Sequence, residues 1–456
     1  MESQVDVIST TRLQSLLARE RDAFAARNPR SGAAYAAADH LFGRVPMTWM
    51  NKTAGAHPLY LDRARGAHVW DLDGHEYVDL CLGDTGAMAG HSPAPTVAAV
   101  QRRYAELGGA TAMLPTEDAA WVGAELARRF GLPYWSFSLT ATDANRWAIR
   151  LVRAITGRPK ILVNSYCYHG SVDESLIVVG SDGEAASREG NVGAPCDVTL
   201  TSRVAEYNDL ERLERELAHG DVAAVLMEPA LTNIGIVLPE PGYLEGVREL
   251  TRRHGTLLIN DETHTFSAGP GGATAAWGLE PDVLTIGKAL AGGIPCGAYG
   301  LSEQLAAEIA RHTELDLVDM GGVGGTLAGN PISVAAMRAT LEEVLTDEAF
   351  EGMTALATRF ADGVRGIVEQ HGLPWSIQQL GARAEYRFAS PAPRNGGESA
   401  AAHQPELDDY LHVYLANRGI LLTPFHAMAL MSPATTAADV DRHHEVFAAA
   451  VGELVA

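Results

Sequence analysis

The sequence predicts an α/β chain: a large domain on a mainly parallel sheet, and a smaller α+β domain built from both termini. Three observations carry this reading. Between about residues 76 and 330 stand the short apolar runs "PKILVNS", "DVAAVLMEP", "GTLLINDE" and "PDVLTIGK". They are too short for helices and nearly unbroken in apolar character, as strands covered on both faces must be. Helical windows separate them, among them "DLERLERELAHG", with leucines at helical spacing and a glycine stop, and "GYLEGVRELTRRHG". The C-terminal third then changes character. "ISVAAMRATLEEVL" and "FEGMTALATRFADGVRGIVEQHG" read as long helices, and "ARAEYRFAS" alternates like a strand.

With 456 residues, one large domain and a smaller one are expected. The boundaries read as 1–75 for an N-terminal segment serving the small domain and a dimer interface, 76–330 for the large domain, and 331–456 for the rest of the small one. Within the first boundary, "GAHVWDLDGHEYVDL" reads as a hairpin turning at Asp73-Gly74. The opening "MESQVDVISTTRLQSLLARERDAF" is charged and amphipathic, a surface or interface helix rather than a signal peptide. "SPAPRNGGESAAAH" reads as an exposed loop.

Charge and cysteine content narrow the partners. Fifty-seven acidic against 35 basic side chains give a formal charge of -22, which repels nucleic acid and anionic lipid. No stretch of about 20 apolar residues suggests a membrane span. The four cysteines, Cys81, Cys167, Cys196 and Cys296, lie far apart, without zinc-like pairing with histidine. A reducing cytoplasm and no metal are expected.

In open parallel sheets ligands bind beyond the carboxyl ends of the strands. The residues there are polar: Asp261-Glu262-Thr263-His264 after "LLIN", Glu228-Pro229 after "AVLM", Tyr166 to Gly170 after "ILVNS", and Lys288 after "VLTIG". A lysine alone reads as a snorkelling surface side chain. A P-loop fails here because Asp282 stands where its first glycine belongs and Ala289 follows the lysine. An amine at a strand end can instead form an imine with a carbonyl cofactor. Pyridoxal phosphate demands such a lysine, a carboxylate facing its ring nitrogen, and amide donors at a helix N-terminus for its phosphate. Lys288, Asp261 and the Thr140-Ala141-Thr142 segment before "DANRWAIRLVRAITG" are the candidates.

The chain resembles the class III (subgroup II, fold type I) pyridoxal-phosphate aminotransferases, nearest the glutamate-1-semialdehyde aminomutase branch. The segment "LLINDETHTFSAGPGGATAAWGLEPDVLTIGKALAGGIPCGAYG" carries the likeness, with "AGHSP", "YHG", "GGTLAGNP" and "RGILLTPFH" in order around it. The resemblance implies a fold type I transferase using pyridoxal 5'-phosphate, with Lys288 as Schiff-base lysine and Asp261 as partner of the ring nitrogen. It further implies Tyr168 stacked on the ring and Thr140, Ala141 and Thr142 on the phosphate. Thr326 would reach the phosphate of a neighbouring subunit, in a homodimer with shared active sites.

Some positions depart from the family. Ala141 replaces the glycine of its S-G-T-E-A, and Asn233 stands where ornithine and 4-aminobutyrate aminotransferases resemble one another in a gating glutamate. His264, three residues past the aspartate, is expected to bond the phenolic oxygen of the cofactor. His169 reads as a backbone hydrogen-bonder and Glu228 as a strand end. By register from "PLYL", the branch's carboxylate-binding arginine falls at or near Trp49.

Substrate recognition offers Arg383 and Arg387, four apart and so on one face of a strand, either as carboxylate readers or as a solvated edge. Asp84 and Thr85 align with the family's entrance loop, and Trp49 with Met88 forms an apolar wall. An amine or β-amino acid with an apolar tail suits that combination. The expected function is therefore amino-group transfer between an amine or amino acid and a keto acid or aldehyde. An aminomutase of the glutamate-1-semialdehyde type, or a racemase, needs the same lysine and aspartate and stands as the alternative. The connection "HTELDLVDMGGVGGT" is the candidate lid that would separate them.

Overall fold

The computed structural model describes residues 8–193, 195–318 and 320–456. The chain forms two units, the larger comprising Pro93–Glu351 and Pro393–Ala401. Seven strands make its sheet, in the edge-to-edge order Tyr134–Ser138, Gly297–Leu301, Val283–Gly287, Leu257–Asp261, Val222–Met227, Lys160–Asn164, Ser202–Ala205. Every neighbouring pair is parallel except the two made by Gly297–Leu301.

The apolar runs form strands because both faces of this sheet are covered. Ile161, Val163, Leu226 and Ile259 belong to one core cluster with Trp147 and Leu151 of the helix Ala141–Thr156. The intervening Leu162, Val225 and Leu258 belong to a second cluster with Leu213 of helix Leu210–Leu217 and Val247 of helix Tyr243–His254. Alternate residues of one strand thus serve opposite cores, and a polar residue inside the run would break one of them. Six of the seven strands run in the same direction, and four of them end at Asn164, Met227, Asp261 and Gly287 along one edge of the sheet.

The other unit holds the chain up to Ser92 with Gly352–Ala392 and Ala402–Ala456. One of its sheets contains Leu61–Arg65, His68–Asp71, Glu76–Asp79 and Ile420–Leu421, and the expected hairpin turns at Gly74 with φ 89°. Such a backbone suits glycine. A three-stranded sheet contains Ser376–Leu380, Arg383–Arg387 and Met428–Leu430. Helix Thr10–Arg27 buries Leu13, Leu16, Leu17 and Phe24 and packs on Pro405–Ala416. Residues 1–7 of the amphipathic opening lie outside the described residues.

The unit boundaries differ from the sequence reading in three places. Residues 76–92 join the smaller unit, since Glu76–Asp79 pairs with both His68–Asp71 and Ile420–Leu421. Residues 331–351 join the larger one, since helix Pro331–Glu343 packs on Ala94–Gln101 and Glu117–Phe130. The segment read as an exposed loop contains a helix, Gly396–Ala401, that belongs to the larger unit. A Cβ on Gly396 would overlap the Ser165 carbonyl, and the Ser399 hydroxyl donates to the Ile234 carbonyl.

Arg129 ties the helices of the larger unit together. Its Nε donates to Glu125 at 2.7 Å, while Nη2 and Nη1 donate to the Leu341 and Leu345 carbonyls at 2.8 and 2.9 Å. The guanidinium therefore satisfies the carbonyl end of one helix from the surface of another. Arg129→Met leaves those two carbonyls without their donor, while Glu125 keeps Arg128. It is expected to cost about 3 kcal/mol, read as a lowered urea midpoint.

Candidate active site

The larger unit builds a seat for an anion at the start of helix Ala141–Thr156. Thr140 caps it, its hydroxyl accepting from Asp143 N at 3.1 Å. The amides of Ala141 and Thr142, in the first turn, have no carbonyl within their own helix to bond. Two glycines bring neighbouring chain up to this turn. A Cβ on Gly287 would lie 2.9 Å from Ala141 Cβ and 3.0 Å from its nitrogen. The strand that delivers Lys288 thus touches the amide beside the seat, and the methyl of Ala141 fits because residue 287 has no side chain. Gly170, with φ 75°, has no room for a Cβ against Thr142, whose hydroxyl accepts from Ser171 N at 3.3 Å.

Asp261 ends the central strand Leu257–Asp261 and is 3 % exposed. Its Oδ2 accepts from Asn145 Nδ2 at 2.8 Å and pairs with His169 Nδ1 at 2.9 Å, and its Oδ1 accepts from Thr263 N at 3.0 Å. Asn145 is oriented in turn by Thr285, whose hydroxyl donates to Asn145 Oδ1 at 2.6 Å, and it also donates to the His169 carbonyl at 3.1 Å. Burial alone would raise the pKa of this carboxyl. The bonds from His169, Thr263 and Asn145 outweigh it and hold Asp261 down at about 2. Burial likewise opposes the imidazolium of His169, yet Cys167 and Asp261 beside it push that histidine well above its usual value. The result is a fixed anion at the strand end.

Lys288 follows Gly287 directly and adopts φ 48°, a left-handed backbone that side-chain-bearing residues avoid unless their surroundings impose it. Its Nζ lies 2.7 Å from His264 Nε2. The loop carrying His264 is pinned by the buried Glu262, which accepts from Thr265 Oγ1 at 2.6 Å, Ala273 N at 3.1 Å and Thr274 N at 2.5 Å. Only three lysines occur in the chain, beside 32 arginines. Lys160 pairs with Asp221 at 3.3 Å and Lys52 lies over the Phe425 ring at 5.7 Å. Lys288 alone among them stands at a carboxyl end of the sheet.

A primary amine, a buried carboxylate and a capped helix N-terminus thus share one sheet edge, which fits a phosphorylated pyridine aldehyde. Tyr168 lies in the adjoining loop with 45 % of its surface exposed, and Thr326 is exposed in the connection 312–327, of which residue 319 lies outside the described residues. Asn233 donates to the Tyr166 carbonyl at 3.0 Å. His169 corrects the sequence reading, since its ring addresses Asp261 rather than backbone. Asn145 and Thr285 were not singled out at all.

The other candidates lie in the smaller unit. Trp49 packs edge-on against Phe425 at 4.9 Å and lines a cavity of about 540 Å³. Thr85, fully buried, accepts from Arg383 Nη2, and it follows Asp84 in a stretch where Leu82, Asp84 and Thr85 all have positive φ. Met88 is fully buried. Arg383 and Arg387 do share a strand, but that strand is the middle one of its sheet and buried throughout. A solvated edge is therefore excluded.

Glu228 is a second buried carboxyl near Asp261. Its Oε2 accepts from the Thr232 hydroxyl, while Oε1 has no partner among the described residues, nor has His169 Nε2. Burial raises Glu228 to about 7, against a nearby His169 that lowers it. Between the ordinary carboxyl value of 4.5 and about 7 the folded chain holds a proton that the unfolded chain releases. Stability accordingly falls as pH rises through that window and levels off above it. Glu228→Gln keeps the neutral form. Its urea midpoint should match that of the parent near pH 5 and exceed it at pH 8 by the equivalent of about 2 kcal/mol; equal midpoints at pH 8 would contradict this.

Comparison with known proteins agrees with this geometry. The class-III aminotransferase family matches residues 49–451. A glutamate-1-semialdehyde 2,1-aminomutase of Desulfitobacterium hafniense is 34% identical over 395 residues, covering 86% of this chain and 90% of that protein. The crystal structure of a glutamate-1-semialdehyde-aminomutase from Pseudomonas aeruginosa PAO1, a lysine-to-alanine variant in complex with PMP, superposes with TM-score 0.95 at 47% identity. It covers 98% of this chain and 99% of that one. A beta-phenylalanine aminotransferase from Variovorax paradoxus gives TM-score 0.84 at 26% identity, covering 96% and 97%. The strand-end lysine and aspartate therefore stand in a chain that belongs to the class-III aminotransferases, a family of pyridoxal-phosphate-dependent enzymes.

Proposed function

We propose that this enzyme moves an amino group between neighbouring carbons of one small substrate, as an aminomutase of the glutamate-1-semialdehyde type. The observation that carries the chemistry is the meeting of Lys288, Asp261 and the 140–142 helix start on one sheet edge. The direction of the reaction rests on the aminomutases at 34% and 47% identity.

Pyridoxal phosphate, when bound, supplies a carbonyl for the amine and a ring that accepts electrons from the substrate carbon. Lys288 would hold that carbonyl and afterwards carry a proton at the substrate carbon, its amine being a base already within reach. Asp261, ionised, would face the ring nitrogen and keep it protonated. Thr140, Ala141 and Thr142 would bind the phosphate, and Tyr168 would cover the ring. Thr326 would serve the site of a second subunit in a homodimer. The four free cysteines suit the cytoplasm as its compartment.

A second reading is transamination of an amine or β-amino acid with an apolar tail. The beta-phenylalanine aminotransferase from Variovorax paradoxus, at 26% identity and TM-score 0.84, supports it.

Glutamate 1-semialdehyde separates the two when no keto acid is added. The proposed aminomutase turns over repeatedly and yields its isomer, 5-amino-4-oxopentanoate, without net loss of amine. A transaminase stops after one equivalent of oxo product per site. Loss of optical activity without either product would mark a racemase. Lys288→Ala should lower turnover at least a thousandfold, on the order expected when nucleophile and base are removed together.

A further inference from the structure

We infer that His264 is the proton-holding partner of Lys288. The inference rests on the proposed Schiff-base role of that lysine and adds how it loses its proton. Nζ and Nε2 stand 2.7 Å apart. A nitrogen–nitrogen contact this short is attractive only when one nitrogen holds the hydrogen and the other offers a lone pair. When the pair carries one net positive charge, two states satisfy it: a lysine ammonium donating to a neutral imidazole, or a neutral amine accepting from an imidazolium. Passage from the first to the second breaks one N–H bond at Nζ and makes one at Nε2. The charge of the pair does not change.

The consequence is chemical. An ammonium has no lone pair, so Lys288 can attack a carbonyl only after giving up a proton, and His264 takes it without solvent entering. While His264 holds that proton, Nζ, once freed by a substrate amine, has the lone pair that its role as base requires.

Several ionisable groups of the neighbouring elements hold bonds of their own. On the same segment, Asp261 takes donors from Asn145, His169 and Thr263, and Glu262 takes donors from Thr265, Ala273 and Thr274. From the neighbouring strand end, Glu228 accepts from Thr232, and His169, in the loop after Lys160–Asn164, faces Asp261. The turn that carries the imidazole is held by Ser267 N donating to the His264 carbonyl at 3.2 Å and Phe266 N to the Glu262 carbonyl at 2.9 Å. His264 is thus presented to Lys288 by a locked loop.

Uptake of cofactor by apoprotein tests the pair without any turnover. Apoprotein of the parent, His264→Ala and His264→Asn is mixed with pyridoxal phosphate at pH 7, and growth of the visible band is followed. Both variants should form the band at least tenfold more slowly than the parent. Imidazole in the buffer should restore the rate of His264→Ala and leave the parent unchanged. His264→Asn, which offers an acceptor but cannot take the proton, should remain slow. Parental rates in His264→Ala overturn the inference. So does a slow variant that imidazole fails to rescue, because loss of packing alone gives that result. If the parent itself forms no band, the Schiff-base reading of Lys288 is what fails.

Discussion

Asp261 is the constraint on which the rest of the larger unit's site depends. An ionised carboxylate buried at the end of a central strand is stable only if several donors converge on it. Here they come from three elements: Asn145 from the helix Ala141–Thr156, His169 from the loop after Lys160–Asn164, and the Thr263 amide from its own turn. Meeting that demand fixes the helix, the loop and the strand relative to one another. The helix start that can hold a phosphate and the strand that delivers Lys288 are set by the same bonds, since Thr285, on the Lys288 strand, orients Asn145.

Close approach is the second requirement. The strand that carries Lys288 comes up to the helix start because Gly287 lies against Ala141 without a side chain between them. The loss of the family's glycine at 141 is accommodated by this contact, and the Ala141 amide remains in the first turn of the helix. The left-handed backbone of Lys288 is local strain directly after the strand end. Its amine meets the His264 ring at 2.7 Å.

Much of this was legible in the sequence, and the parts that were not share a cause. Strands such as Val222–Met227 announce themselves because burial on both faces forces an unbroken apolar run. Gly297–Leu301 does not, because its glycines are selected by close neighbours: a Cβ at 300 would strike the Trp135 ring, and one at 297 the Thr140 backbone. Lys288 and Asp261 were visible through their positions after apolar runs. His169 and Asn145 were not, since their partner lies 92 and 116 residues away and no local pattern records such a bond. The same blindness misplaced the unit boundaries, which follow pairings between distant segments such as Glu76–Asp79 with Ile420–Leu421. The scarcity of lysine was an unused signal, since it leaves only Lys52 and Lys160 to weigh against Lys288.

Reduction of the cofactor-loaded protein with borohydride, followed by peptide mapping, tests the central claim most directly, because only three side chains, those of Lys52, Lys160 and Lys288, can carry the label. The account predicts a phosphopyridoxyl group on the peptide containing Lys288, and none on the other two. A label on the peptide of Lys52 or Lys160, or no label at all, would contradict it.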